Sequence, residues 1–140
     1  MNLLLDTCAL IWLTSEPAQL SEAASTAIND PAAVLHVSHA SLWEITLKHG
    51  AGKFALPDSP RKWWTDQVAR WGLTELPLTA EALFRASELP PHHKDPFDRV
   101  ILGQAEMLAL HVVSPDGEFP AYGISLVSRF CLWASSTPSV

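Results

Sequence analysis

Residues 2–6, Asn-Leu-Leu-Leu-Asp, form a short apolar run that ends in a carboxylate. An apolar run of this length without alternation predicts a strand that is buried on both faces, as in a parallel sheet. Asp6 comes directly after this strand, and an acid in such a place needs a partner or a chemical task because burying a charge is costly. The segment therefore predicts both the fold class and a first site residue.

Similar short apolar runs alternate with helical segments along the rest of the chain. We predict strands at 34–37, 73–76 and 111–114 and a last edge strand at 124–127. Helix-start signals stand between them, at Ser21, Ser38, Ser59-Pro60, Thr79 and Asp95-Pro96. Strands of about 4–5 residues between helices of about 10–14 indicate a parallel sheet covered on both faces. The predicted fold is α/β, a three-layer α/β/α architecture with a short parallel sheet.

The composition is that of a globular domain. The chain has 140 residues, of which 48% are hydrophobic and 17% charged. We expect one domain at 1–127 and a tail at 128–140. The apolar runs are too short to span a bilayer and no secretory signal opens the chain, so we expect a cytoplasmic protein with no membrane association. Cys8 and Cys131 lie at opposite ends of the chain, and we expect both to be reduced.

The formal net charge of −6 argues against extended non-specific contact with a nucleic-acid backbone, which usually requires a basic surface. It does not exclude a nuclease. Clustered acids account for much of such a charge at a metal site, and bound divalent cations reverse the local sign.

Four acids occupy positions from which their side chains could reach one crevice. Asp6 and Asp116 each follow a predicted strand, Asp98 lies in the first turn of a predicted helix, and Glu44 lies about two turns into another. The carboxyl ends of parallel strands meet at one edge of a sheet, where α/β proteins place their ligand sites. We therefore expect these acids to share a crevice.

A carboxylate cluster without a cation is unfavourable because like charges repel. Mg²⁺ takes oxygen ligands, often one or two carboxylates directly, and can activate water and polarise a phosphoryl oxygen. Each acid also has an ordinary explanation. Asp95 and Asp98 resemble a helix capping box, Asp116 before Gly117 resembles a turn, and Glu44 alone resembles a solvated helix acid.

Four segments resemble the PIN-domain family, and within it the VapC-like toxins of bacterial type II toxin–antitoxin systems. They are Leu-Leu-Leu-Asp6-Thr7, Val-Ser38-His-Ala-Ser41-Leu-Trp43-Glu44-Ile, His93-Lys-Asp95-Pro96-Phe97-Asp98-Arg99 and Val-Val-Ser114-Pro-Asp116. The likeness covers roughly residues 2–127. The segments around Glu44 and Asp98 are specific, whereas Asp-Thr near the start is not.

The resemblance implies a PIN-like fold, Mg²⁺- or Mn²⁺-dependent endoribonuclease activity, inhibition by a cognate antitoxin protein and frequent homodimerisation. The family's four acidic positions match Asp6, Glu44, Asp98 and Asp116, with Asp6 and Asp98 as the expected direct metal ligands. Asp95 matches a further acid of this subgroup. Thr7 and Ser114 match hydroxyl positions that steady the metal ligands, as outer partners of metal sites do.

Several basic side chains flank the predicted helix start at Asp95. Arg99, Lys94, His92 and His93 are candidates for contacts with RNA phosphates, as is Lys48. Ordinary surface charge explains Arg99 and Lys48 equally well. Adjacent histidines in a loop are better explained as solvated residues than as metal ligands, because chelation requires side chains that converge.

Three tryptophans fall within one predicted helix. At about 100° per residue Trp64 and Trp71 share a face, whereas Trp63 diverges from Trp64. We therefore predict Trp64 and Trp71 in the core and Trp63 on a partner-binding surface.

Two other functions have to be weighed against a nuclease. A phosphatase with Asp6 as nucleophile would need a second acid two residues later, where this chain has Cys8. A catalytically degenerate PIN-like domain could keep the fold as a protein-binding module. The complete set of four acids argues against it, because repelling acids serve no packing purpose without a metal.

Overall fold

A sheet of four parallel strands forms the centre of the computed structural model, which describes residues 1–91 and 95–115. The described strands are β1 (Asn2–Leu5), β2 (Val34–Ser38), β3 (Thr74–Leu76) and β4 (His111–Val113). Their order in the sheet is β3-β2-β1-β4. The first strand therefore lies between two others, with Leu5 opposite Val37 on one side and Val113 on the other.

Six α-helices connect or follow these strands in the described part of the chain. They are α1 (Thr7–Ser15), α2 (Glu22–Asn29), α3 (His39–Gly50), α4 (Pro60–Trp71), α5 (Ala80–Glu88) and α6 (Pro96–Leu108). Every predicted helix-start residue accepts a hydrogen bond from the first turn of its helix. Gly72 ends α4 in the left-handed conformation, with φ of 61°.

Two hydrophobic cores lie on opposite faces of the sheet. Leu3 and Leu5 belong to the core that also holds apolar side chains of α1, α2 and α4. Leu4 points to the other core, which is built on α5 and α6. Successive side chains of a strand point to opposite faces, so a buried run of three leucines requires cover on both sides. The predicted three-layer α/β/α fold is confirmed.

The element boundaries differ slightly from the predicted ones. The third strand begins at Thr74 rather than at Leu73. The last described helix ends at Leu108 because Ala109 takes a left-handed conformation and terminates it. The predicted strand at 124–127 and the predicted tail at 128–140 lie outside the described residues. No helix in the described ranges is long and apolar enough to cross a membrane.

The prediction for the helical tryptophans was wrong at Trp63. Both Trp63 and Trp64 are buried, at 5% and 7% exposure, whereas Trp71 is only partly buried. The segment between α3 and α4 explains the difference, because Phe54 and Leu56 pack against the same core as these rings. A helix covered by both a sheet and a loop buries more than a single face.

Candidate active site

Asp6 lies where β1 ends and α1 begins. Its backbone N–H donates to the Val113 carbonyl at 3.1 Å, which fixes the residue between the ends of β1 and β4. Its Oδ1 accepts a hydrogen bond from the backbone N–H of Ala9 at 2.7 Å, and its Oδ2 accepts one from Ser114 Oγ at 2.5 Å. The side chain is 4% exposed. The carboxylate is therefore held rigidly at the carboxyl edge of the sheet.

A pair of buried hydroxyls joins α1 to α3 beside this acid. Thr7 Oγ1 donates to Ser41 Oγ at 2.9 Å, and both residues are buried. Thr7 was predicted to steady the metal ligands, whereas no role was predicted for Ser41. The spacing along the sequence could have identified Ser41 as a site residue. It lies three residues before Glu44 and therefore on the same side of α3.

Glu44 projects from α3 and is 5% exposed. Its Oε2 lies 3.5 Å from Lys48 Nζ, and its Oε1 has no hydrogen-bond partner among the described residues. Burial raises the pKa of this carboxyl above its usual value, and the negative charge of Asp95 adds to that increase, against the opposing effects of the Thr7 hydroxyl and Lys48. Glu44 is thus not the solvated acid that its helix position alone would suggest.

Asp95 and Asp98 lie at the start of α6. Asp95 is its N-cap, because its Oδ1 accepts hydrogen bonds from the backbone N–H groups of Phe97 at 2.9 Å and Asp98 at 3.2 Å. The capping explanation is therefore correct for Asp95, but the same carboxylate is also near enough to Glu44 to affect its pKa. Asp98 is half-buried in the first turn of the helix.

Two of the predicted basic residues, Arg99 and Lys48, already form contacts within the protein. The Arg99 guanidinium donates to the carbonyls of Leu89 at 2.7 Å and Pro90 at 3.0 Å, so it holds the segment that follows α5. Lys48 faces Glu44. Residues 92–94 lie outside the described residues, and so does Asp116, the fourth predicted acid.

The described residues supply an oxygen-rich edge of the sheet. Asp6 meets Ser114, Thr7 meets Ser41, and the pKa of Glu44 responds to both Thr7 and Asp95. Over residues 1–91 and 95–115, no three His, Cys, Asp or Glu side chains are close enough to bind one ion by themselves. The predicted set includes Asp116 as well, and Mg²⁺ often takes only one or two carboxylates directly. A buried carboxylate oxygen without a partner, as in Glu44, fits such a site.

Several solved structures share this fold. The structure of VapBC2 from Rickettsia felis bound to a DNA fragment from its promoter matches with a TM-score of 0.66 and 16% identity, over 90% of this chain and 97% of that one. The structure of DNA-bound VapBC from Salmonella typhimurium matches with a TM-score of 0.68 and 21% identity, over 92% of this chain and 98% of that one. The structure of FitAcB from Neisseria gonorrhoeae matches with a TM-score of 0.57 and 17% identity, over 91% of this chain and 97% of that one.

At these identities the structures establish the fold alone. No curated protein sequence is a significant match to the chain. A family model does match, that of the PIN domain, and it spans residues 3–124. This range includes all the described strands and helices apart from the first residue of β1, together with all four predicted acids. The chain belongs to the PIN domain family.

Proposed function

We propose that this protein is a Mg²⁺- or Mn²⁺-dependent endoribonuclease and the toxin of a type II toxin–antitoxin pair. The observation that carries the proposal is the pair of buried acids at the carboxyl edge of the sheet. Asp6 and Glu44 are 4% and 5% exposed, and Glu44 keeps an oxygen without a hydrogen-bond partner in the described part of the chain. A buried acid needs hydrogen bonds, a cationic side chain or a metal ion, and the unpartnered Glu44 oxygen supports a metal ion as one of these partners.

Each described residue has a definite task in this proposal. Asp6 and Asp98 would bind the metal directly, with Glu44 and Asp116 completing the acidic set. Ser114 orients Asp6 through its hydrogen bond, and Thr7 with Ser41 fixes α1 against α3 so that Glu44 faces the same edge. A bound divalent cation supplies a water of lowered pKa and stabilises charge on the phosphate.

The test is cleavage of a single-stranded RNA by the purified protein with Mg²⁺ or Mn²⁺ and with EDTA. Asp6→Asn keeps the shape of the side chain but removes its charge, and we expect it to lower the rate by at least about 100-fold. Asp66→Asn is a matched control, since Asp66 is exposed and forms an ion pair with Lys62 on α4. Equal cleavage by wild type and Asp6→Asn would reject the proposal and point to a contaminating nuclease.

Metal titration by calorimetry separates an active enzyme from a degenerate one. We expect wild type to bind Mn²⁺ and Asp6→Asn to bind it far more weakly. A wild type that neither binds metal nor cleaves RNA would favour the alternative, a PIN-like domain that serves only as a protein-binding module.

The toxin role rests on the sequence resemblance and on the assemblies in which the fold is found, VapBC and FitAcB. We propose a cytoplasmic homodimer that is inhibited by a cognate antitoxin protein. Induced expression should arrest growth, and a short basic protein encoded just upstream should relieve the arrest. Growth arrest that persists with Asp6→Asn would show that toxicity does not come from cleavage.

A further inference from the structure

A groove of about 770 Å³ lies between α3 and α4. One wall is a single face of α3 that carries His39, Trp43 and Thr46, at helical spacing. The opposite wall comes from α4 and includes Arg61 and Trp64. The volume is within the range of small-ligand sites, roughly 300–1,000 Å³.

Trp43 connects this groove with the proposed active site. Its side chain is 54% exposed although indole is among the largest apolar groups. It is the chain neighbour of Glu44, and its ring packs edge-on against Phe97 with 5.5 Å between the centroids. Phe97 in turn lies between Asp95 and Asp98. A group that stacks on Trp43 would therefore lie beside the acidic helix start.

The groove also has an available cation. Among the described residues, Lys62 is paired with Asp58 and Asp66, and Arg85 pairs with two glutamates of α5 and α6. Arg61, by contrast, forms no ion pair within residues 1–91 and 95–115. It therefore can meet an anionic group without first breaking a bond to another side chain.

We propose that this groove binds an unpaired base of the RNA substrate, with the base stacked on Trp43 and a flanking phosphate near Arg61. The inference rests on the proposed nuclease function and names how its substrate is held. Proteins bind single-stranded nucleic acids by combining aromatic stacking with a cationic groove. Stacking matters more here than usual, because a chain of net charge −6 gains little from non-specific phosphate contacts.

The test is binding rather than cleavage. The probe is a short 2′-O-methyl oligoribonucleotide with 2-aminopurine at its centre, titrated with the full-length protein in EDTA. Stacking on an indole quenches 2-aminopurine fluorescence, whereas binding without such stacking need not change it. We expect quenching by wild type, and a loss of affinity of about 5- to 100-fold in Trp43→Ala, the scale of one stacked base.

Two more variants on the groove keep the result interpretable if Trp43→Ala folds poorly. Trp43→Phe preserves an aromatic face and the contact with Phe97, so it should lose less than about fivefold in affinity. Arg61→Ala leaves both rings in place and should flatten the slope of log affinity against log salt by about 0.7, the value for one phosphate of a single strand. Retention of the wild-type slope would argue against the phosphate contact.

Leu47→Ala is the matched control. Leu47 lies one turn after Trp43 on α3 and is 50% exposed, but it does not line the groove. It should bind the probe like wild type. Equal weakening by Leu47→Ala and Trp43→Ala, or a shift from dimer to monomer in Trp43→Ala with unchanged quenching, would overturn the inference and identify the surface as a protein interface.

The outcome is independent of whether the protein is a nuclease. If quenching depends on Trp43 but no RNA is cleaved in Mn²⁺, the proposal of base binding in the groove is supported and the proposed nuclease function is rejected. If cleavage requires Asp6 but quenching is unaffected by Trp43→Ala, the nuclease function is supported and base binding in the groove is rejected.

Discussion

Replacing Glu44 by glutamine removes one buried charge and leaves the size of the side chain unchanged. If Glu44 served mainly to pair with Lys48, this change would destabilise the protein. If it is kept for a metal, the metal-free protein should tolerate the change or become more stable. The variant therefore distinguishes a structural from a functional carboxylate.

The geometry allows the magnitudes to be compared. At 3.5 Å and an effective dielectric constant of about 20, the attraction between Glu44 and Lys48 is roughly 5 kcal/mol. Loss of water from a buried ion costs several kcal/mol. The raised pKa of Glu44, caused first by burial, shows that desolvation prevails. We therefore expect Glu44→Gln to leave the free energy of unfolding unchanged near neutral pH or to raise it by about 1 kcal/mol, the scale of a typical single substitution.

The pH dependence has a definite sign. The pKa of Glu44 is raised on folding from its ordinary value of 4.5, so the folded protein keeps this proton longer than the unfolded chain does. Stability from this group is therefore lost as the pH rises above 4.5, until the folded carboxyl is also ionised. The free energy of unfolding of Glu44→Gln should therefore exceed that of wild type only slightly at pH 4. The difference should grow as the pH rises above 4.5.

Urea unfolding without metal, followed by circular dichroism from pH 4 to 8, measures both effects. Glu106→Gln is the matched control, because Glu106 is an exposed acid paired with Arg85. It should change stability by less than about 0.5 kcal/mol. Adding Mn²⁺ should then stabilise wild type more than Glu44→Gln. A loss of more than about 2 kcal/mol in metal-free Glu44→Gln would refute the reasoning and make the Lys48 pair structural.

Two further substitutions test the hydroxyls around the acids. Ser114→Ala removes the hydrogen bond to Asp6 Oδ2, so we expect calorimetry to show Mn²⁺ binding weakened by about 10- to 100-fold; unchanged affinity would mean that Ser114 does not orient the acid. Thr7→Val removes the donor to Ser41 and leaves a buried hydroxyl without that partner, which should lower the free energy of unfolding by about 1–3 kcal/mol in urea. A loss below about 0.5 kcal/mol would show that this bond does not hold α1 to α3.

Most of the fold could be predicted from local chemistry. The first strand was predicted at its observed bounds because three successive leucines admit only a strand covered on both faces. The helix starts were predictable because Ser, Thr and Asp side chains accept hydrogen bonds from the first turn, and each predicted one does so. Such signals act within a few residues of one another and need no knowledge of tertiary packing.

The errors arose where tertiary contacts decide. Trp63 was predicted on the surface from the helix period alone, but the apolar segment after α3 packs against its core and buries it. No burial was predicted for Trp43, a large ring that is exposed in the structure. Neither exposure follows from periodicity, because each depends on a segment that is distant along the chain.

The sequence nominates the acids of the proposed site but does not predict their contacts. Asp6 and Glu44 are both buried, and their role as metal ligands stays a prediction. Ser41 was recognised only as the partner of Thr7 in the structure. Arg99 was predicted to meet RNA phosphates as a supporting residue. Its bonds to two backbone carbonyls show a local structural task that a sequence pattern cannot reveal.

The described hydrogen bonds of Asp6 differ in kind from the ion pairs of the exposed acids. Exposed Glu81 and Glu106 pair with the Arg85 guanidinium, which neutralises them. Asp6 instead accepts from a hydroxyl and a backbone N–H, groups that orient a carboxylate and leave its charge intact. A site for a divalent cation requires a carboxylate in a fixed orientation, and these two hydrogen bonds provide one. The hydroxyl of Ser114 and the backbone N–H of Ala9 therefore hold the Asp6 carboxylate in an orientation that is compatible with the proposed metal site.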